Sequence, residues 1–326
     1  MLSWRVCTLG TPEEALSLEE RPVRVPGYGE ARVAVEAVGL HHPDLLLCAG
    51  RYQERPELPF SPGFEAAGIV VETGPGCGVE PGQRVVVVPE LPEGAFQQSL
   101  TVPEAQLLAV PDTRPAPVAA VLHIAWSTAH AALHHRAALR RGETVLVTGA
   151  AGGVGSATVR LAKAAGAYVV ATATGPDRAA ACRSAGADEA IDLSLQPDLV
   201  GRARELTAGR GFDVVVDVVG GELFAELRRC VAFEGRLVTV GFTGGLAEAP
   251  ANHVLLRNYS VVGLHLAAYR RAAPRVLRET HRRLLDLLAA GVIAPPIDRV
   301  VAFEDAPAGL EAIGAREVIG RVVVRV

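Results

Sequence analysis

Residues 144–166 read TVLVTGAAGGVGSATVRLAKAAG, and this stretch decides the fold. A short apolar run, TVLV, meets glycines spaced three apart at Gly149, Gly152 and Gly155, then passes into an alanine-rich segment of helical character. Gly153 and Val154 complete the turn. A bound pyrophosphate requires backbone N–H donors at close range, the partial positive charge of a helix N-terminus, and no Cβ atoms in the way. A strand that turns through glycines directly into a helix supplies all three. The stretch therefore predicts the first βα unit of a dinucleotide-binding domain, because a glycine turn that binds nothing has no need of this flanking order.

Outward from this unit, apolar strands and alanine-rich helices alternate: AYVVATAT, PDRAAACRSAGA, FDVVVDVV, GELFAELRRCVAFEG, RLVTVGF and YSVVGLHL. Such alternation predicts parallel βαβ units with helices on both faces of a doubly wound sheet. Upstream, residues 1 to about 120 carry short strand-like runs such as ARVAVEAVGL, AAGIVVETG and QRVVVVPE, punctuated by Pro and Gly. They predict a mostly antiparallel, barrel-like domain. Near the end, THRRLLDLLAAG reads as a helix by its Leu spacing, APAGLEAI as a short helix and IGRVVVRV as a terminal strand, pieces able to return to the first domain.

The ribose of a dinucleotide is expected near the end of the next strand, about 20 residues past the turn, where NAD-binding proteins usually place an acid. Here the segment is ATATGPDR: Thr174 and Gly175 stand in place of the acid, and Arg178 follows within reach of a 2′-phosphate. That favours NADPH over NADH. Asp177 taking the ribose hydroxyls is the competing reading. Two further turns follow strands on the same edge of the sheet, VVGGELF with Val219, Gly220 and Gly221, and TVGFTGG with Gly241, Phe242 and Thr243.

Composition sets the outer limits. With 326 residues the chain is long enough for two domains. Its net charge of −4 and pI near 6.2 give no basic stripe for a nucleic acid. Five scattered cysteines, none spaced as C-x-x-C, argue against a disulfide framework or a structural zinc site and fit reduced thiols in the cytoplasm. Neither a signal peptide nor an uninterrupted apolar run of membrane-spanning length is expected. No G-x-S-x-G motif supports a serine hydrolase.

Five segments together carry a family resemblance: AVGLHHPDLLLCAGRYQ, LPFSPGFEAAGIVVETGPG, AWSTAHAALHHRAALRRGETVLVTGAAGGVG, DVVGGELF and the closing VIGRVVVRV. In this order they resemble the zinc-independent quinone oxidoreductase branch of the medium-chain dehydrogenase/reductase superfamily. The resemblance implies an α/β protein in which a Rossmann domain, residues 122–265, is inserted into a GroES-like β-rich substrate domain made of residues 1–121 and 266–326. It also implies a homodimer joined edge to edge near YSVVGLHL.

Zinc-dependent members carry a Cys near position 41 and Gly-His-Glu near position 63. This chain has His41 and Gly63-Phe64-Glu65, so no catalytic zinc is expected. Quinone oxidoreductases usually have Asn where His41 stands. By resemblance, His41, Thr128, Gly241, Phe242, Leu264 and His265 contact the cofactor, and Tyr52 lies near the cofactor and substrate; Tyr52 is the one side-chain candidate for the general acid, with water as the alternative. The expected activity is zinc-independent hydride transfer from NADPH to a quinone or related conjugated carbonyl. An enoyl or alkenal C=C reductase, and a non-catalytic NADPH-binding structural or sensor protein, remain open.

Overall fold

The computed structural model describes all residues, Met1–Val326. The chain divides into two compact units, one formed by Met1–Ile124 with Ile297–Val326 and the other by Ala125–Pro296.

The second unit is built on six parallel strands. Their order along the sheet is Glu189–Asp192, Tyr168–Ala173, Thr144–Val147, Phe212–Asp217, Val231–Thr239 and Ser260–Gly263. In chain order that is 3-2-1-4-5-6, the Rossmann arrangement, with the first strand central and the direction of winding reversed beside it. The strands read as continuous apolar runs because helices cover them: Val145, Leu146 and Val147 are fully buried, as are Val214, Val215 and Val216. Leu146, Val170, Phe212, Val215 and Leu237 pack with Leu199, Phe224 and Leu227 into one core. Burial of each such side chain contributes roughly 1.5–3 kcal/mol.

The segment GELFAELRRCVAFEG is not all helix. The helix Leu223–Cys230 passes directly into the strand Val231–Thr239, whose Val231 pairs with Phe212.

The first unit centres on Glu30–Gly39, whose alternation of half-buried and buried residues from Glu30 to Ala37 reflects one face turned into a core. It pairs antiparallel with Ala66–Thr73, Ser99–Pro103 and Arg321–Arg325 in a seven-stranded sheet. One pair departs from the antiparallel expectation: Ile297–Ala302 runs parallel to Arg321–Arg325, the helix Ala306–Gly314 forming the crossover. The indole Nε1 of Trp4 donates to the Phe303 carbonyl at 2.8 Å, tying the two ends of the chain together.

The boundary expected at 265/266 needs correction. Residues 266–296 belong to the second unit, and the first unit resumes only at Ile297. The cause is the helix Pro274–Ala289, which buries Leu277, Thr280, His281, Leu284 and Leu288 along one face and sets the Thr280 hydroxyl 3.4 Å from Nδ1 of His130 in that same unit. The helical stretch Ala116–Arg136 is long and apolar enough to cross a membrane by length and composition. Yet 72% of its most apolar window is buried inside the fold, as in the core helix of a packed domain.

Candidate dinucleotide site

Because every strand of the second unit runs the same way, the segments leaving their C-terminal ends rise along one edge. Gly149 follows Thr144–Val147, Thr174 and Gly175 follow Tyr168–Ala173, Val219 follows Phe212–Asp217, Gly241, Phe242 and Thr243 follow Val231–Thr239, and Leu264 and His265 follow Ser260–Gly263. Residues separated by more than a hundred positions in sequence thus share one edge. Thr128 lies elsewhere in this unit, buried within the helix His123–His130.

The glycine turn has the properties a phosphate requires. Gly149 has φ of 55°, a left-handed conformation that disfavours any side chain, and a Cβ there would fall 2.8 Å from Cγ2 of Val218. At Gly155 a Cβ would meet the Gly149 carbonyl oxygen at 2.3 Å, so this glycine allows the helix to pack against its own turn. Gly152 differs: a Cβ there would approach only the Gly149 oxygen, at 3.4 Å, so this glycine faces open space. It also N-caps the helix Gly153–Ala164 without a side-chain cap, leaving the N–H groups of Gly153, Val154 and Gly155 without intrahelical acceptors. These donors and the open face at Gly152 fit the pyrophosphate of a dinucleotide.

A buried carboxylate that the sequence reading missed organises the neighbouring loops. Asp217 Oδ1 accepts the Thr148 hydroxyl at 2.8 Å and the N–H groups of Val219 at 2.9 Å and Gly220 at 3.1 Å. The Thr148 hydroxyl in turn accepts the Val218 N–H at 3.0 Å. Hydrogen bonds then join the loop after the next strand to this one, Gly244 N–H to the Val219 carbonyl at 2.7 Å and Gly221 N–H to the Gly245 carbonyl at 2.9 Å. Phe242 stands on that joined surface, 37% exposed. An Asp closing an apolar strand, FDVVVD, is the available signal.

At the ribose end, Gly175 has φ of 96°, and its N–H donates to Asp192 Oδ1 at 2.8 Å. Hydrogen bonds from Ser194 and from Gly175 hold the Asp192 carboxyl below the usual range. Its Oδ2 is buried with no partner. Arg178, half-buried on the helix Pro176–Ser184, forms no ion pair, unlike Lys163, which lies 2.8 Å from Asp188.

His41 and Tyr52 belong to the first unit. His41 is 4% exposed, with its Nε2 3.0 Å from Glu65 Oε1 and its Nδ1 3.0 Å from Arg321 Nη2. Burial and the Arg321 charge push its pKa down to about 4, so the ring is neutral, and Arg321 Nη2 lies 3.0 Å from both of its nitrogens. Glu65 Oε2 accepts the N–H groups of His123 and Ile124 at 3.0 and 2.9 Å. Both imidazole nitrogens of His41 are therefore engaged within the unit. Phe64, at the position where zinc-dependent relatives have His, offers no donor atom and packs edge-on against Tyr52 with ring centroids 5.4 Å apart.

A Rossmann sheet with an open glycine turn at a helix N-terminus defines the class: a dinucleotide-binding protein. Residues 27–112 match the alcohol dehydrogenase GroES-like domain family, and residues 153–288 match the zinc-binding dehydrogenase family. Quinone oxidoreductase-like protein 2 of Bos taurus is 35% identical over 325 residues, covering 99% of this chain and 92% of its own. A quinone oxidoreductase from Pseudomonas syringae pv. Tomato DC3000 superposes with a TM-score of 0.91 at 29% identity, over 100% of this chain and 99% of its own. A mycobacterial protein complexed with NADPH superposes with a TM-score of 0.92 at 29% identity, over 100% of both chains. The chain belongs to the quinone oxidoreductase-like group of the medium-chain dehydrogenase/reductase superfamily.

Proposed function

We propose that this protein is a zinc-independent, NADPH-dependent reductase of quinones and related conjugated carbonyls, acting in the cytoplasm. The observation that carries the reading is the glycine turn, whose uncapped helix N-terminus and open face at Gly152 suit a pyrophosphate. Preference for NADPH rests on Arg178, which has no acidic partner, and on the absence of a ribose-binding acid at Thr174 and Gly175. The Asp192 carboxylate works against that preference, but its Oδ1 is committed to Gly175 and Ser194.

When bound, the nicotinamide supplies a hydride. The chain's own task is then to orient two flat rings and exclude water. The joined loops carrying Val219, Gly241, Phe242 and Thr243 would line the nicotinamide, with Thr128, Leu264 and His265 as further contacts. His41 would contact the cofactor through its neutral ring, and Tyr52 or a water would supply the proton that the reduced acceptor needs.

Zinc independence draws on the donor set, since Phe64 cannot ligate and both nitrogens of His41 are engaged. A homodimer is also proposed. Ser260–Gly263 is the last strand of its sheet, with one hydrogen-bonding edge unpaired in this chain, and Leu255 and Leu256 nearby are 74% and 77% exposed.

A panel assay tests the reading. Purified protein is given NADPH or NADH with 1,4-benzoquinone, 9,10-phenanthrenequinone, 2-alkenals or enoyl thioesters, and nicotinamide oxidation is followed. Faster turnover of quinones with NADPH is expected. Turnover of enoyl thioesters alone would move the assignment to a C=C reductase, and cofactor binding without turnover of any acceptor would leave a non-catalytic binding protein.

A further inference from the structure

The opposite edge of the Rossmann sheet, where its strands begin, carries a feature that the dinucleotide site does not use. The helices Leu199–Leu206, Leu223–Cys230 and Ala251–Arg257 all end there, just ahead of the strands Phe212–Asp217, Val231–Thr239 and Ser260–Gly263. Between them opens a cavity of about 120 Å³ lined by Arg204, Arg210, Arg229, Arg257, Gly211 and Cys230. The space is ample for a small hydrated ion.

None of these four exposed arginines pairs with a carboxylate, and together they line a single cavity. Nearby Arg202 is neutralised by Glu205 at 2.8 Å, and Arg236 by Glu143 at 2.8 Å. Arginines at helix C-termini do complement the helix dipoles, each of which is worth at most about half a negative charge. Three such termini and the carboxylate of Glu226, one turn before Cys230, together offset roughly 2.5 of the four positive charges. An excess of about +1.5 is left around the cavity. Its charges reach the side chains there: burial and then Glu226 push the Cys230 thiol up to about 12, against the opposing pull of Arg229, Arg204 and Arg257. Burial lowers the pKa of His253, and Arg228, Arg257 and Arg229 lower it further.

We propose that this cavity binds a small, multiply charged oxyanion of the phosphate class, at a site separate from the glycine turn. Guanidinium groups match the oxygens of phosphate in charge and fork geometry and stay charged at every working pH. Free phosphate or pyrophosphate is the smallest anion of that class to match four guanidinium groups around one cavity.

The test is calorimetric titration of the full chain with inorganic phosphate, with pyrophosphate and with a short oligonucleotide, at ionic strength matched with chloride. Wild type is compared with the pairs Arg229→Gln/Arg257→Gln and Arg229→Lys/Arg257→Lys. The Gln pair should weaken binding by about 10-fold or more, as expected for loss of charged hydrogen bonds, and the Lys pair should retain most of it, since lysine still binds phosphate as a point charge. If the Gln pair does not fold, Arg204→Gln alone, at an exposed position, should still weaken binding. The proposal is overturned if wild type binds neither anion, if the Gln pair binds as well as wild type, which would place the anion elsewhere, or if only an oligonucleotide binds.

Discussion

The Asp217 carboxylate accepts the Thr148 hydroxyl at 2.8 Å, with both side chains fully buried. Thr148 immediately precedes Gly149, and Asp217 leads into Val218 and Val219, so one hydrogen bond ties the glycine turn to the loop beside it. Thr148→Val keeps the shape, removes that donor and strands the Val218 N–H. Loss of a hydrogen bond to a charged group costs about 1.5–3 kcal/mol. Urea denaturation should show a loss of that size together with weaker cofactor binding, and a change under about 0.5 kcal/mol, the level of an ordinary surface substitution, would refute the coupling.

Two glycines of one turn should respond differently to the same methyl group. Gly155→Ala drives a Cβ to 2.3 Å from backbone oxygen and should lower both the melting temperature and cofactor affinity. Gly152→Ala has room in the fold, with its nearest contact at 3.4 Å and ordinary extended backbone, so stability should hold while NADPH affinity drops. Parallel melting curves and cofactor titrations distinguish the two. Unchanged NADPH affinity in Gly152→Ala would mean that the pyrophosphate does not approach there.

Arg178→Gln should weaken NADPH binding by roughly 10- to 150-fold, corresponding to the 1.5–3 kcal/mol of a charged hydrogen bond. NADH, which lacks the 2′-phosphate, should be affected about 2-fold at most. Equal losses for both cofactors would reassign Arg178 to a structural role.

Stability should fall on mild acidification. Burial, together with nearby positive charge, lowers the pKa of His41, His42, His130, His134 and His253, reaching about 4 at His41 and at His130. Unfolded histidines titrate near 6.5, so between about 6.5 and about 4 the unfolded chain takes up protons that the folded chain refuses. Stability is full above that window and declines within it. Asp44 opposes the trend: burial pushes its carboxyl up to about 7, so its contribution grows as pH falls. One carboxyl stands against five imidazoles. The urea midpoint should be lower at pH 5 than at pH 7, and His130→Gln should narrow the gap by removing a ring packed 4.6 Å from His134. Equal midpoints would contradict this account.

The strand, turn and helix around Gly149 were legible in the sequence because they are local: apolar run, glycine spacing and helical segment adjoin. So were the loops at Gly175, Val219 and Gly241, since parallel strands necessarily bring their ends to one edge. The end of the second unit at Pro296 was not, because the helix Pro274–Ala289 shows an amphipathic face without showing which core it covers. Asp217 and Asp192 were missed for a related reason. An acid closing an apolar run reads as a strand end, and only the three-dimensional fold reveals which amides it accepts. His41 was visible as a departure from the family pattern, but its partner Arg321 lies 280 residues away.

The most direct test of the central claim is titration of purified protein with NADPH and, separately, with NADH, followed by nicotinamide fluorescence. One NADPH should bind saturably per chain, about 10-fold or more tighter than NADH. Absence of saturable binding by either cofactor would contradict it.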